Sequence, residues 1–210
     1  MIEYIKGSLT TLSPTMAVIE AAGVGYGLKI SLNTYESLNE AANRARLEAV
    51  AQPVVKLMTE EIIRDDAHEL YGFASVEERE LFRLLIGVSG VGAGSARLIL
   101  SAMTPAELSA VIAGGDERSL KSVKGIGGKT AQRIIVDLRD KINKGETALL
   151  SQSENRAQSP SRSEAFDEAL AALTMLGYTK AASEKALVKI FQSTPDITVE
   201  VAIKKSLAML

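Results

Sequence analysis

Two short glycine-bearing segments near the middle of the chain hold the residue types best suited to chemistry, and that chemistry is the holding of phosphate. Val88-Ser89-Gly90-Val91-Gly92 and Val123-Lys124-Gly125-Ile126-Gly127 share one design and lie 35 residues apart, Gly90 to Gly125. The match runs past the glycines, since Leu85 recurs as Leu120, Ser95-Ala96 as Thr130-Ala131, and Ile99-Leu100 as Ile134-Ile135. A repeat that keeps helical periodicity beside its turn is far more specific than an isolated Gly-x-Gly.

In each segment the first glycine can take backbone angles closed to other residues, Val91 or Ile126 plugs the space between helices, and the second glycine permits close approach. The next helix starts at that point, so its unpaired N–H groups and positive dipole end face a ligand. This reading assigns phosphate contacts to Gly90, Val91, Gly92, Gly94 and Ser95 in the first segment. In the second it assigns Gly125, Ile126, Gly127, Gly128, Lys129 and Thr130, with Arg133 one turn further along the helix. Such contacts carry no base information, so DNA binding is expected to be sequence-independent and steeply salt-dependent. The two segments are unequal. Ala93-Gly94 stands where Gly128-Lys129 stands in the second, which leaves the first with backbone donors alone.

Competing readings of these and other residues are weaker. Gly128-Lys129-Thr130 ends like a nucleotide-binding P-loop, but the glycine required five positions earlier is Val123, and no strand precedes it. Gly23-x-Gly25-x-Gly27 has the wrong spacing for a dinucleotide fingerprint and is followed by a strand-like stretch, so it reads as a hairpin turn. His68, the sole histidine, lacks a partner motif and reads as a surface residue. Asp137 shares a helix with Lys129 and Arg133 and has no evident nucleophile or metal partner. The chain has no cysteine, which excludes disulfides, thiolate zinc sites, iron–sulfur clusters and cysteine nucleophiles. No metal or cofactor is expected. A DNA-repair enzyme such as a glycosylase or nuclease, and a scaffold whose hairpins only pack, remain the alternatives.

The net charge of −2 is low for a phosphate binder and calls for segregated faces. Lys121, Lys124, Lys129, Arg133, Arg139 and Lys141 cluster around the second segment and supply a basic one. No run approaches the roughly 18 apolar residues of a spanning helix, and Met1 to Gly7 lacks the pattern of a signal peptide. A cytoplasmic location is expected.

Rigid elements must flank the hairpins, and the sequence predicts a multidomain α+β chain around them. Residues 1–73 read as an OB-like β-barrel, with strands at Ile2–Leu9, Met16–Ala21, Tyr26–Leu32, Val54–Thr59, Glu61–Arg64 and Glu69–Phe73. Asn33-Thr34 is the expected cap of a helix running to about Arg46. Asp65-Asp66 marks a tight turn between two strands. Residues 74–143 are helical, with segments at Val76–Ile86, Ala93–Ala102, Pro105–Ala113, Glu117–Ser122 and Lys129–Lys141. Ser75 with Glu78 forms a capping box, Thr104-Pro105 starts a helix and Gly114-Gly115 stops one. Residues 144–163 are poor in large apolar residues and read as a flexible linker. Residues 164–210 read as a three-helix bundle, with helices at Glu164–Leu176, Ala181–Gln192 and Thr198–Leu210. It either binds a partner or stabilises the chain.

Several stretches carry a more specific likeness: Met1-Ile2-Glu3-Tyr4-Ile5-Lys6-Gly7, Gly23-Val24-Gly25-Tyr26, Ile63-Arg64-Asp65-Asp66-Ala67-His68-Glu69-Leu70-Tyr71-Gly72-Phe73, Glu78-Arg79-Glu80-Leu81-Phe82, Leu176-Gly177-Tyr178 and both hairpins. With them the whole chain resembles the RuvA family of bacterial Holliday junction-binding proteins. The resemblance implies a barrel, a tandem helix-hairpin-helix domain and a C-terminal domain that binds the hexameric RuvB motor. It implies a homotetramer, alone or as two stacked tetramers, that holds a four-way junction open and square, with the RuvC resolvase as a further partner. It places the protein in recombination, DNA repair and the SOS response, as a non-catalytic subunit. Asp65 and Asp66 then correspond to an acidic pin that repels phosphates at the crossover, and Arg64 beside them could touch one. The first hairpin departs from the family in lacking a proline and lysine at Ala93-Gly94, and Arg44 to Pro53 reads as a longer segment than in compact relatives.

Overall fold

The computed structural model describes residues 1–49, 52–143, 162–194 and 197–209. They fall into two compact units, whose boundary lies after Asn143 and before Arg162. The linker expected at 144–163 lies outside the described residues, apart from Arg162 and Ser163, which open a helix.

Five strands close the barrel of the first unit: β1 (Tyr4–Ser13), β2 (Met16–Ala21), β3 (Val24–Ile30), β4 (Val54–Arg64) and β5 (Ala67–Phe73), in the order β1-β2-β3-β5-β4. The alternation that defines a half-buried strand puts Ile5 and Leu9, Ala17 and Ile19, Leu28 and Ile30, and Val55 and Leu57 inside. β1 pairs with β4 over its first half and with β2 over its second. At the crossover a Cβ on Gly7 would lie 2.1 Å from the Glu20 carbonyl oxygen, so only glycine lets the strands meet. Ala22 and Gly23, at φ 51° and 79°, form the β2–β3 turn, as expected of a two-residue hairpin with left-handed residues. A short parallel pairing of β3 with β5, Lys29 with Tyr71 and Ile30 with Gly72, completes the closure.

Several boundaries differ from expectation: β3 spans Val24–Ile30 rather than Tyr26–Leu32, since Leu32 opens a helix, and three further differences have clear causes. β1 continues four residues beyond Leu9 to Ser13, because β2 offers partners for Thr11, Leu12 and Ser13 across a bulge. The segments at Val54–Thr59 and Glu61–Arg64 are one strand, since Glu60 keeps its register opposite Tyr71. The helix that plugs the barrel, α1 (Leu32–Leu47), is capped by Ser31, whose hydroxyl accepts the Thr34 amide at 3.0 Å. Asn33 and Thr34 are thereby freed for tertiary bonds.

The helical part contains α2 (Val76–Ile86), α3 (Ala93–Ala102), α4 (Pro105–Gly114), α5 (Glu117–Lys121) and α6 (Gly128–Asn143). Thr104 and Glu107 form a complete capping box on α4, and Gly115, at φ 72°, ends that helix. The expected box at Ser75 is only half made. Ser75 accepts the Glu78 amide, but the Glu78 carboxylate turns instead to the hydroxyls of Ser31 and Thr34. Barrel and helices share a core: Tyr71 and Phe73 of β5 lie 5.0 and 4.9 Å from the Phe82 ring of α2.

The second unit packs α7 (Arg162–Met175), α8 (Lys180–Ser193) and α9 (Val199–Leu207) around Leu173, Leu187, Ile190 and Phe191. Leu176-Gly177-Tyr178 is the stop signal of α7. Gly177 takes φ 94°, its amide donates to Thr174, and the Tyr178 amide reaches back to Leu173, the double bond of a Schellman ending. No single helix among the described residues is long and apolar enough to cross a membrane.

Candidate nucleic-acid interface

The two hairpins are the same object built twice. In the first, the Val88 amide donates to Leu85 and the Val91 amide to Val88; in the second, Val123 donates to Leu120 and Ile126 to Val123. Gly90 and Gly125 take φ 90° and 89°, the left-handed value such a turn requires at its third residue. α3 and α6 then begin, with the Ala96 and Ala131 amides donating to Gly92 and Gly127 at 2.9 Å each. The repeated apolar positions explain the likeness. Leu85 and Leu120, Val88 and Val123, Val91 and Ile126, Ala96 and Ala131, and Ile99 and Ile134 are all buried in one core.

Burial of Val91 and Ile126 confines any ligand contact at these two residues to their backbone. Around the glycines the space is empty. A Cβ on Gly90, Gly92, Gly94, Gly125 or Gly127 would meet nothing within 4 Å. Gly92 and Gly127 also lie outside the left-handed region, so the protein's own conformation does not require glycine there. A bare backbone kept where the fold does not demand it suits the close approach of a ligand. α3 has no side-chain cap, and Gly127 cannot provide one to α6, so both helices offer N–H groups outward.

The side chains differ between the hairpins. Lys129 is exposed at the start of α6 with Thr130 half-buried beside it, whereas the first hairpin presents exposed Gly94 and half-buried Ser95. Lys121, Lys124, Arg139 and Lys141 are exposed, and none of them pairs with a carboxylate among the described residues. Arg133 crosses from one hairpin to the other. Its terminal nitrogen donates to the Ser89 hydroxyl at 3.2 Å and to the Ser89 carbonyl at 3.4 Å.

Asp65 and Asp66 form the two-residue turn between β4 and β5 and are exposed, as is Arg64 at the end of β4. The pairing Arg64 with Ala67 and Ile63 with His68 fixes the turn at the end of a long ladder. Opposite Ile62 on that ladder, Glu69 bonds Lys29, which holds its carboxyl below the usual range, and accepts the Tyr71 hydroxyl at 3.0 Å. Burial, followed by the hydrogen bond to Glu69 and then its charge, pushes Tyr71 up to about 12.

A polar seam at the barrel–helix junction positions hairpins and acidic turn as parts of one unit. Buried Glu78 accepts Ser31 and, at 2.7 Å, Thr34; loss of hydration raises its pKa, and those hydroxyl bonds oppose the rise. Buried Arg79 donates to the Glu3 carboxylate at 2.7 Å, and Arg83 to Glu60 at 2.7 Å. Asn33 donates to the Leu100 and Met103 carbonyls at 2.6 and 2.8 Å, closing the end of α3. Sequence reasoning missed this seam and the role of Ser89. The Glu78-Arg79 pair was visible as a motif, but nothing local shows which way a charged side chain turns once buried.

Comparison with known proteins covers the chain end to end. A family model described as RuvA N terminal domain matches residues 1–72, one described as SAM-like helix-hairpin-helix tandem matches 82–140, and one described as RuvA, C-terminal domain matches 164–210. The Holliday junction branch migration complex subunit RuvA of Bacteroides fragilis strain YCH46 is 48% identical over 212 residues, spanning 100% of both chains. Its counterpart in Bacteroides thetaiotaomicron is also 48% identical over 212 residues, and that of Parabacteroides distasonis 47% over 210, each again spanning 100% of both chains.

Proposed function

The chain belongs to the RuvA family, and from that premise we propose that it binds four-way junction DNA by shape and serves branch migration as a non-catalytic subunit. The observation that carries this is the pair of hairpins with one hydrogen-bond pattern, whose second glycines, Gly92 and Gly127, lie in open space and are not needed by the fold itself. Two such hairpins grip a duplex backbone at two points. Phosphate oxygens sit on the N–H groups of Gly90 to Ser95 and of Gly125 to Thr130, and Lys129 adds charge to the second. Arg64 reaches a further phosphate.

Attraction to phosphate alone cannot select a junction, because a continuous duplex offers the same groups. Asp65 and Asp66 supply the discriminating term. Their exposed charges disfavour a phosphate backbone running past the turn and favour strands that diverge there. Four copies around a fourfold axis, in one tetramer or two stacked ones, would present hairpins to four arms and the acidic turns to the centre. We assign residues 1–73 to the barrel, 74–143 to the DNA-binding domain, 144–163 to the linker and 164–210 to the RuvB-binding domain. RuvB supplies ATP-driven movement and RuvC resolution, in the cytoplasm, during recombination, repair and the SOS response.

Binding of a four-way junction and of a linear duplex of the same sequence, measured side by side at moderate salt, tests the proposal. The junction should bind more tightly, and Asp65→Asn with Asp66→Asn should raise duplex affinity and narrow the gap. Equal affinities in the unsubstituted protein would overturn it.

A further inference from the structure

We infer that Arg133, which follows the second hairpin in sequence, is the phosphate-binding cation of the first, so that the first site is completed by a side chain borrowed across the repeat. The inference rests on the DNA-binding reading above and deepens it. The first hairpin lacks a cation of its own, since the position equivalent to Lys129 is Gly94. Its turn nevertheless has a guanidinium at hand. Arg133 bonds Ser89, the residue immediately before Gly90, through both hydroxyl and carbonyl.

The repeat shows that this bridge runs one way. The position equivalent to Arg133 in the first half is Leu98, 44% exposed, and the arginine beside it on α3, Arg97, donates instead to the Thr15 and Ile30 carbonyls, so no cation from α3 reaches back to Lys124 at the second turn. α6 therefore supplies both hairpins, with Lys129 serving its own and Arg133 its neighbour's. The chemistry fits a phosphodiester. A guanidinium has five N–H donors, and the bonds to Ser89 use one terminal nitrogen. The remaining donors have no partner among the described residues and can meet an oxygen seated on the backbone N–H groups of Gly90 to Ser95. Ser89 orients the fork, and the helix N-terminus supplies the other half of the cradle.

A cycle of Arg133→Gln, Gly94→Lys and the double substitution in the full chain tests this, read as junction affinity against salt. Arg133→Gln should weaken binding about 5- to 10-fold and lower the salt slope by about 0.9, the loss of one phosphate contact. Gly94→Lys should recover most of that loss in the Arg133→Gln background, yet gain less than about 2-fold in the unsubstituted protein, because one cation suffices for one phosphate. Equal gains in both backgrounds would overturn the inference, since Arg133 and position 94 would then serve different phosphates. Both positions are exposed and a Cβ at 94 meets nothing, so folding is preserved, as circular dichroism can verify. Arg133→Lys adds an independent check: charge without the fork should fall between the unsubstituted protein and Arg133→Gln. An unsubstituted protein that fails to prefer junctions would bring down the functional proposal itself, an outcome distinct from equal gains in the cycle.

Discussion

Val88 to Gly92 and Val123 to Gly127 make the same turn with the same hydrogen bonds, yet the helix after one opens with Ala93-Gly94-Ser95 and the helix after the other with Gly128-Lys129-Thr130. What the two share is inward, and what separates them is outward. The backbone path is held by buried pairs such as Leu85 with Leu120 and Val91 with Ile126, which must match for the turn to form twice. The exposed positions answer only to a ligand, and there one repeat has a lysine while the other has a glycine. Geometry and charge are thus separable, and substitutions can address either one.

The largest expected effect falls on the shared part. Leu85→Ala and Leu120→Ala each remove a fully buried side chain from the same core, and each should cost about 2–5 kcal/mol in urea denaturation. Costs of similar size would mean that the two turns are equally well supported. A loss under about 1 kcal/mol at one of them would show that its turn is held by something other than the repeated core.

A smaller effect separates fold from ligand. Gly92 and Gly127 precede α3 and α6 in ordinary backbone conformations with open space around them. Serine is a better helix cap than glycine by a few tenths of a kcal/mol, so Gly92→Ser and Gly127→Ser should leave stability unchanged or slightly raised. Junction affinity should fall in both, because the added side chain occupies the approach of the phosphate. The fall should be larger at Gly127, where Lys129 holds the backbone closest. Loss of stability in thermal denaturation, or unchanged affinity, would remove the argument that these glycines exist for a ligand.

How much of this was legible beforehand follows the same division. α2 and α3 match their expected limits because apolar spacing and start signals such as Ser75 act locally. The hairpins were legible because a repeat states its own register. The extension of β1 to Ser13 was not, because Thr10 and Thr11 become strand only when β2 lies beside them. Nor was the Ser31 cap on α1. Asn33 and Thr34 are equally good caps by type, and their claim is lost only because α3 and Glu78 engage them from 67 and 44 residues away in the chain. Arg133 was expected to reach a phosphate directly. Its contact with Ser89 depends on how the two halves of the repeat face each other, and a periodic pattern does not contain that.

The smallest effect contrasts the helices that lead into the two hairpins, and it is read by pH. α5, before the second, is capped by Asp116, whose carboxylate lies below its ordinary 3.8 because the Ser119 hydroxyl and the Ser119 and Arg118 amides bond the charged form. α2, before the first, is capped by Ser75, which does not titrate, but it buries Glu78, raised above 4.5 chiefly by desolvation. The signs are opposite. Asp116 contributes stability that is complete above 3.8 and is lost as pH falls through its lower folded value. Glu78 holds a proton in the folded state beyond the pH at which the unfolded chain releases it, so its contribution is complete below 4.5 and is lost as pH rises through the folded value. Melting temperatures recorded from about pH 2 to 8 should therefore flatten on the acid side in Asp116→Asn and on the opposite side in Glu78→Gln. Flattening on the same side in both would show that the two lead-in helices are anchored alike, and the contrast between the hairpins would then begin only at their ligand-facing residues.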